Sequence, residues 1–178
     1  MTARTRGLHQ ALLIALGTRA ARHSDLARKP FLVDLALPEA LRLRIYAYTL
    51  VGGAGERARR EYKVVLRVPG QAVGSYGSFD QTDGRFTTII GYDASLDVFV
   101  LWDASLHPRF KNGGNLQVRD DVVRTAAAAG QAQTIRHLTG GAREAVFACQ
   151  SSGLIMALRS RIATTGGLME GECLISPI

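Results

Sequence analysis

The chain has 178 residues, 47% of them hydrophobic, enough for one domain with a sizeable core. Its 22 Lys and Arg against 15 Asp and Glu give a formal net charge of +7, which favours a polyanionic partner, nucleic acid first, and carries no information on fold. Cys149 and Cys173 lack metal-site spacing and are too few for a secreted disulfide scaffold, and no run approaches the roughly 20 apolar residues that span a bilayer. These features argue against a membrane partner and make the cytoplasm the expected compartment.

Arg4, Arg6, Arg19 and Arg22 precede the first acid, Asp25, as in an organellar transit peptide. Leu8, Leu12, Ala15 and Leu16 form a helical stripe, however, and the periodicity predicts a first helix over residues 5–22. Residues 31–37 read as a strand stopped by Pro38. In residues 41–50, LRLRIYAYTL, alternation sets Leu41, Leu43, Ile45 and Ala47 against Arg42, Arg44, Tyr46 and Tyr48, a half-buried strand with a basic and aromatic outer face.

Strand 60–68 (REYKVVLRV) ends at Pro69-Gly70, and a glycine-rich loop leads to strands 85–92 and 98–103 around a tight turn. A polar loop precedes strand 116–118. Asp120 caps a helix that Gly130 terminates. Strand 144–150 and a helix to about residue 161, capped by Ser151 or Ser152, complete the pattern, with Cys149 as an inert buried thiol. The expected architecture is one α+β domain over residues 1–163 with a tail or linker at 164–178. Its sheet is expected to be antiparallel and strongly curved or a partial β-barrel, flanked by an N-terminal helix and two C-terminal helices.

Charge is segregated. Arg57, Arg59, Arg60, Lys63 and Arg67 lie on or beside the 60–68 strand, whereas residues 80–103 carry Asp80, Asp83, Asp93, Asp97 and Asp103 against Arg85 alone. Cross-strand pairing competes with a phosphate-binding face as the explanation. Trp102, the only tryptophan, begins a segment with His107, Arg109, Lys111 and Asn112. Alone, Trp102 reads as core filling at a strand end. With the loop it belongs to a base-reading segment, since aromatics stack on extruded bases and Arg and Asn present bidentate edges.

Glu61-Tyr62-Lys63 has the E-x-K form of a PD-(D/E)xK nuclease core, with Asp34 as the only upstream acid; that alternative requires Mg²⁺. No zinc ligand set includes His107. The loop Gly74-Ser75-Tyr76-Gly77-Ser78-Phe79 reads either as a cover over a ligand or as an ordinary connection.

The segments EYKVVLRVPGQ, GSFDQTDGRFTTIIGYDASLDVFVLWDASLH, NLQV and REAVFACQSSGLIMALRSRI resemble a bacterial domain found with restriction and modification genes. They are spread over about residues 41–161. In that pattern the position of Val65 is often glutamine, so its replacement here counts against nuclease chemistry. The resemblance implies DNA recognition or processing within a defence system.

The preferred expectation is therefore a DNA-binding specificity module, sensing modified DNA and needing no cofactor, with cleavage in a separate nuclease domain or partner subunit. Arg57, Arg59, Arg60, Lys63 and Arg67 would hold phosphates, and Trp102, His107, Arg109, Lys111 and Asn112 would read bases. The alternatives are an endonuclease using Asp34, Glu61 and Lys63, and an interaction subunit docking through its acidic hairpin and apolar tail.

Overall fold

The structure, a computed structural model, describes residues 3–52 and 61–165. Along the chain run α1 (Ala3–Leu16), β1 (Ala20–His23), β2 (Phe31–Leu35), β3 (Arg42–Thr49), β4 (Val51–Gly52) and β5 (Glu61–Val65). They are followed by β6 (Tyr76–Gly77), β7 (Phe86–Asp93), β8 (Val98–Asp103), β9 (Phe110–Lys111) and β10 (Asn115–Arg119). Last come α2 (Asp120–Ala129), β11 (Gln131–His137), β12 (Arg143–Gln150) and α3 (Leu154–Ala163).

Seven strands form one sheet in the order β1-β2-β3-β7-β8-β12-β11, beside a three-stranded sheet β10-β5-β4 and the β6-β9 ribbon. The α+β class is as expected; the all-antiparallel pairing is not, and the strands close no barrel. β3 and β7 pair in parallel from Leu43↔Phe86 to Thr49↔Tyr92, so the large sheet is mixed. It also remains open, with β1 and β11 as its edges. The chain leaves β3, makes a long excursion through β4, β5 and β6, and returns beside its starting strand, which a hairpin-by-hairpin reading does not anticipate.

That excursion explains a second correction. Residues Leu43 to Tyr48 are all buried, so β3 has no basic and aromatic outer face. One side packs Leu43, Ile45 and Ala47 with Leu12 and Leu16 of α1 and Leu154 and Leu158 of α3. The other packs Tyr46 and Tyr48 with Val64, Leu66, Phe79, Trp102, Leu116 and Val123, beneath the small sheet and α2. A strand covered on both faces needs no polar side, and the alternation of LRLRIYAYTL reflects two chemically different interiors. Arg44 survives there because its guanidinium meets Asp80 and Asp83, each at 3.0 Å.

The first helix stops at Leu16, and Gly17 adopts φ +55°, a left-handed stop that leaves residues 20–23 free to form β1. The helix read from Asp120 ends where expected, with Gly130 at φ 86°. Arg119 holds its N-cap position and Gly153 that of α3, however, so neither Asp120 nor Ser151 or Ser152 caps as expected. β11, which the sequence reading left out, pairs with β12 along its whole length.

Gly91 is the tightest point between the layers. A Cβ there would lie 2.8 Å from Val64 Cγ1 and 3.2 Å from both Leu50 Cδ1 and Trp102 Cζ3. Gly91→Ala is therefore expected to destabilise the chain by about 1–3 kcal/mol through overpacking, read as a lower urea midpoint at unchanged slope.

Candidate nucleic-acid interface

The small sheet has an inward and an outward face. Val64, Leu66, Leu116 and Val118 point into the core, so pleating turns Lys63, Val65 and Arg67 outward with Asn115, Gln117 and Arg119 of β10. Lys63 stands opposite Gln117 on one side and Val51 on the other. Gln117 Nε2 donates to Glu61 Oε2 at 2.8 Å. Lys63 and Arg67 are four positions apart, roughly 13 Å along extended chain.

Arg67 leads directly into a second cationic segment. Leu66 N donates to Gly114 O, and Gly113 N donates to Leu66 O. The Asn112 carboxamide accepts from Val68 N and donates to Gln71 O and Ala72 O. These bonds clamp residues 66–75 against 109–114, where Tyr76 of β6 faces Lys111 of β9. The Arg109 guanidinium lies 3.9 Å from the centroid of the Tyr76 ring, which is 66% exposed. Arg67, Arg109 and Lys111 are exposed, and among the described residues neither they nor Lys63 form an ion pair.

The aspartates of residues 80–103 do not neutralise this surface. β5 pairs with β4 and β10, not with β7 or β8. Asp80 and Asp83 hold Arg44, Asp93 caps its own turn through Ser95, Asp97 accepts from Tyr92 and Ser151, and Asp103 bonds Ser105 and Arg161. Cross-strand neutralisation thus fails as the explanation for the segregated charge. The apolar tail expected to dock a partner falls outside the described residues.

Several sequence-predicted residues serve other ends. Trp102 is 0% exposed in the core and cannot stack on a base. Asn112 is buried and spends its amide on the backbone bonds above. His107 turns inward, its Nε2 3.0 Å from Glu144 Oε1. Arg57, Arg59 and Arg60 lie outside the described residues. Sequence reasoning missed Tyr76 as an aromatic displayed beside cations, although its place in a glycine-flanked loop was a usable signal.

It also missed Lys29, whose Nζ sits 3.6 Å above the ring of Tyr48, the residue whose hydroxyl donates to Arg67 O. Burial lowers the Lys29 ammonium to about 8. The glycine-rich loop is held to the body, with Phe79 stacked on Phe110 at 4.4 Å and Gln71 Nε2 donating to Ser78 O.

The nuclease constellation does not assemble. Asp34 on β2 pairs with Arg85 at 2.8 Å in the large sheet, whereas Glu61 and Lys63 stand on the small one. No group of three or more His, Cys, Asp or Glu suited to a metal ion occurs among the described residues. Burial pushes the Cys149 thiol up to about 12, which makes it unreactive.

A further charge cluster is interior and structural. Glu144, fully buried, accepts from Asp103 N, His107 and Arg136, while buried Arg161 pairs with Asp103 at 3.1 Å and donates to the carbonyls of Ala145 and Thr164. Among the described residues no helix is long and apolar enough to cross a membrane.

What the fold defines is an α+β module with a displayed cationic and aromatic surface. Methylase-associated X1 is the family it matches, over residues 41–158, about two thirds of the chain. The chain belongs to that family and so to the domains associated with restriction–modification systems. No curated protein and no solved structure matches it.

Proposed function

We propose that this chain is a DNA-binding specificity module of a restriction–modification system, with the covalent chemistry carried by a separate domain or partner subunit such as a methylase or nuclease. One observation carries the reading: Lys63, Arg67, Arg109 and Lys111 occupy contiguous backbone segments on the outside, without an ion-pair partner among the described residues. Cations left unpaired on a rigid sheet and ribbon attract phosphates and release counterions on binding. Membership of a methylase-associated family supplies a setting in which such a partner is DNA.

The test is anisotropy with a labelled 25-base-pair duplex at 50 and 200 mM salt. If all four cations meet phosphates, the Kd rises about 10²-fold between the two conditions. Lys63→Glu with Arg67→Glu should weaken binding at 50 mM salt by at least about tenfold and flatten the salt slope by roughly 2. Absent binding, or binding indifferent to salt and to these substitutions, overturns the reading.

A further inference from the structure

We propose that Tyr76 and Arg109 form a stacking platform for an unpaired or extruded base, so that the favoured ligand is DNA with single-stranded character. This rests on the DNA-binding reading above and names its substrate class. The starting observation is a large aromatic that folding does not use. Tyr76 is 66% exposed and belongs to neither hydrophobic core.

The support beneath it is nevertheless firm. Gly77, the next residue, pairs with Phe110, which is 8% exposed and stacked on Phe79; Phe79 in turn packs against Tyr46 at 4.8 Å. Backbone bonds Gly74 N to Asn112 O and Asn112 N to Ser75 O lock the approach to the ribbon. The Asn112 side chain ties that corner to residues 68, 71 and 72.

The chemistry of the ring specifies the ligand. The Arg109 guanidinium lies over one face of the Tyr76 ring, 3.9 Å from its centroid, so it orients the ring and a base would stack on the opposite face. Lys111 lies directly across the ribbon, and Arg67 lies where the ribbon joins the small sheet, flanking the ring with cations able to take phosphates. In an intact duplex both faces of each base are occupied by neighbouring bases, and only edges reach the grooves. A displayed aromatic ring therefore gains a stacking partner only where a base is unpaired or swung out of the helix.

The experiment compares a labelled 20-nucleotide single strand, the same strand in a duplex, and the duplex with a central three-nucleotide bulge, at 50 mM salt. Wild type is expected to bind the single strand and the bulged duplex more tightly than the intact duplex. Tyr76→Ala is expected to lower single-strand affinity by about 5- to 150-fold, the equivalent of one lost base stack, and Tyr76→Phe to restore it.

Because Tyr76 is exposed, both variants should melt with the wild type, and a thermal scan verifies this. Salt-sensitive duplex binding together with single-strand affinity unmoved by Tyr76→Ala overturns the platform and leaves the DNA-binding reading standing. Failure of all three DNA probes to bind overturns both.

Discussion

Arg161→Met is expected to destabilise the chain by about 3–5 kcal/mol, the typical result of stripping one partner from a buried pair. Arg161 is 0% exposed and Asp103 1% exposed, so neither charge is relieved by water. The substitution removes the Arg161 guanidinium from the Asp103 carboxylate and the donors to the carbonyls of Ala145 and Thr164. These contacts fasten the last turns of α3 to β8 and β12, so the loss should appear as a lower urea midpoint and earlier exposure of the α3 face. Adding Asp103→Asn should recover part of it, because the carboxylate that Arg161 balanced is then gone from the interior as well. A midpoint shift worth less than about 1 kcal/mol would show that the pair is solvated or dispensable.

Trp102→Ala is expected to cost a similar amount, about 3–5 kcal/mol, through the cavity it opens. The indole packs over Gly91 and against the layer that includes Val64 and Leu50, at the junction of the large and small sheets. Its N–H has no hydrogen-bond partner among the described residues, so Trp102→Phe loses volume but also removes an unsatisfied donor and should be much the milder change. Since Trp102 is the only tryptophan, its emission reports directly. It should be blue-shifted in the native chain and unmoved by saturating DNA. A folded Trp102→Ala variant with native stability and specifically impaired DNA binding would return this residue to the recognition surface.

The parts of the fold legible in the sequence were those governed by local chemistry. Strand 98–103 was read with its observed bounds, because six consecutive residues ending in Trp102-Asp103 are buried on both faces and an Asx-type turn precedes them. The helix from Asp120 to Ala129 was legible from Asp120 at its start, although as its first residue and not its cap, and from Gly130 at its end.

Misreadings came where partners distant in sequence decide. LRLRIYAYTL shows perfect alternation, yet its supposed outer side is sealed by residues 62–79, and nothing local to β3 reveals that cover. β11, QAQTIRH, has a single large aliphatic side chain, Ile135, because it is an edge strand whose pairing to β12 does the work that apolar side chains do elsewhere. The overlong first helix was avoidable, since Gly17 was a visible stop signal.

The candidate site was half legible for a related reason. Sequence reports charge faithfully, and Lys63, Arg67, Arg109 and Lys111 lie on the outside. It does not report which polar residues the interior has claimed. Asn112 looks like a base reader until its three backbone bonds are seen, and His107 until Glu144 is found behind it. Conversely, Tyr76 had no periodic pattern to distinguish it from a core aromatic.

The two-sided burial of β3 has a bearing on how this module can be moved between proteins. The family match spans residues 41–158, yet α1, β1 and β2 lie ahead of it and supply Leu12, Leu16, Phe31 and Val33 to one interior, while Arg161 lies beyond its end. A fragment trimmed to the homologous stretch would bare an apolar floor of Leu43, Ile45, Ile90, Phe99 and Leu101 and lose Arg161, which pairs with Asp103. The transplantable unit is thus larger than the recognisable one, and a graft onto a methylase should keep α1 at one end and the whole of α3 at the other.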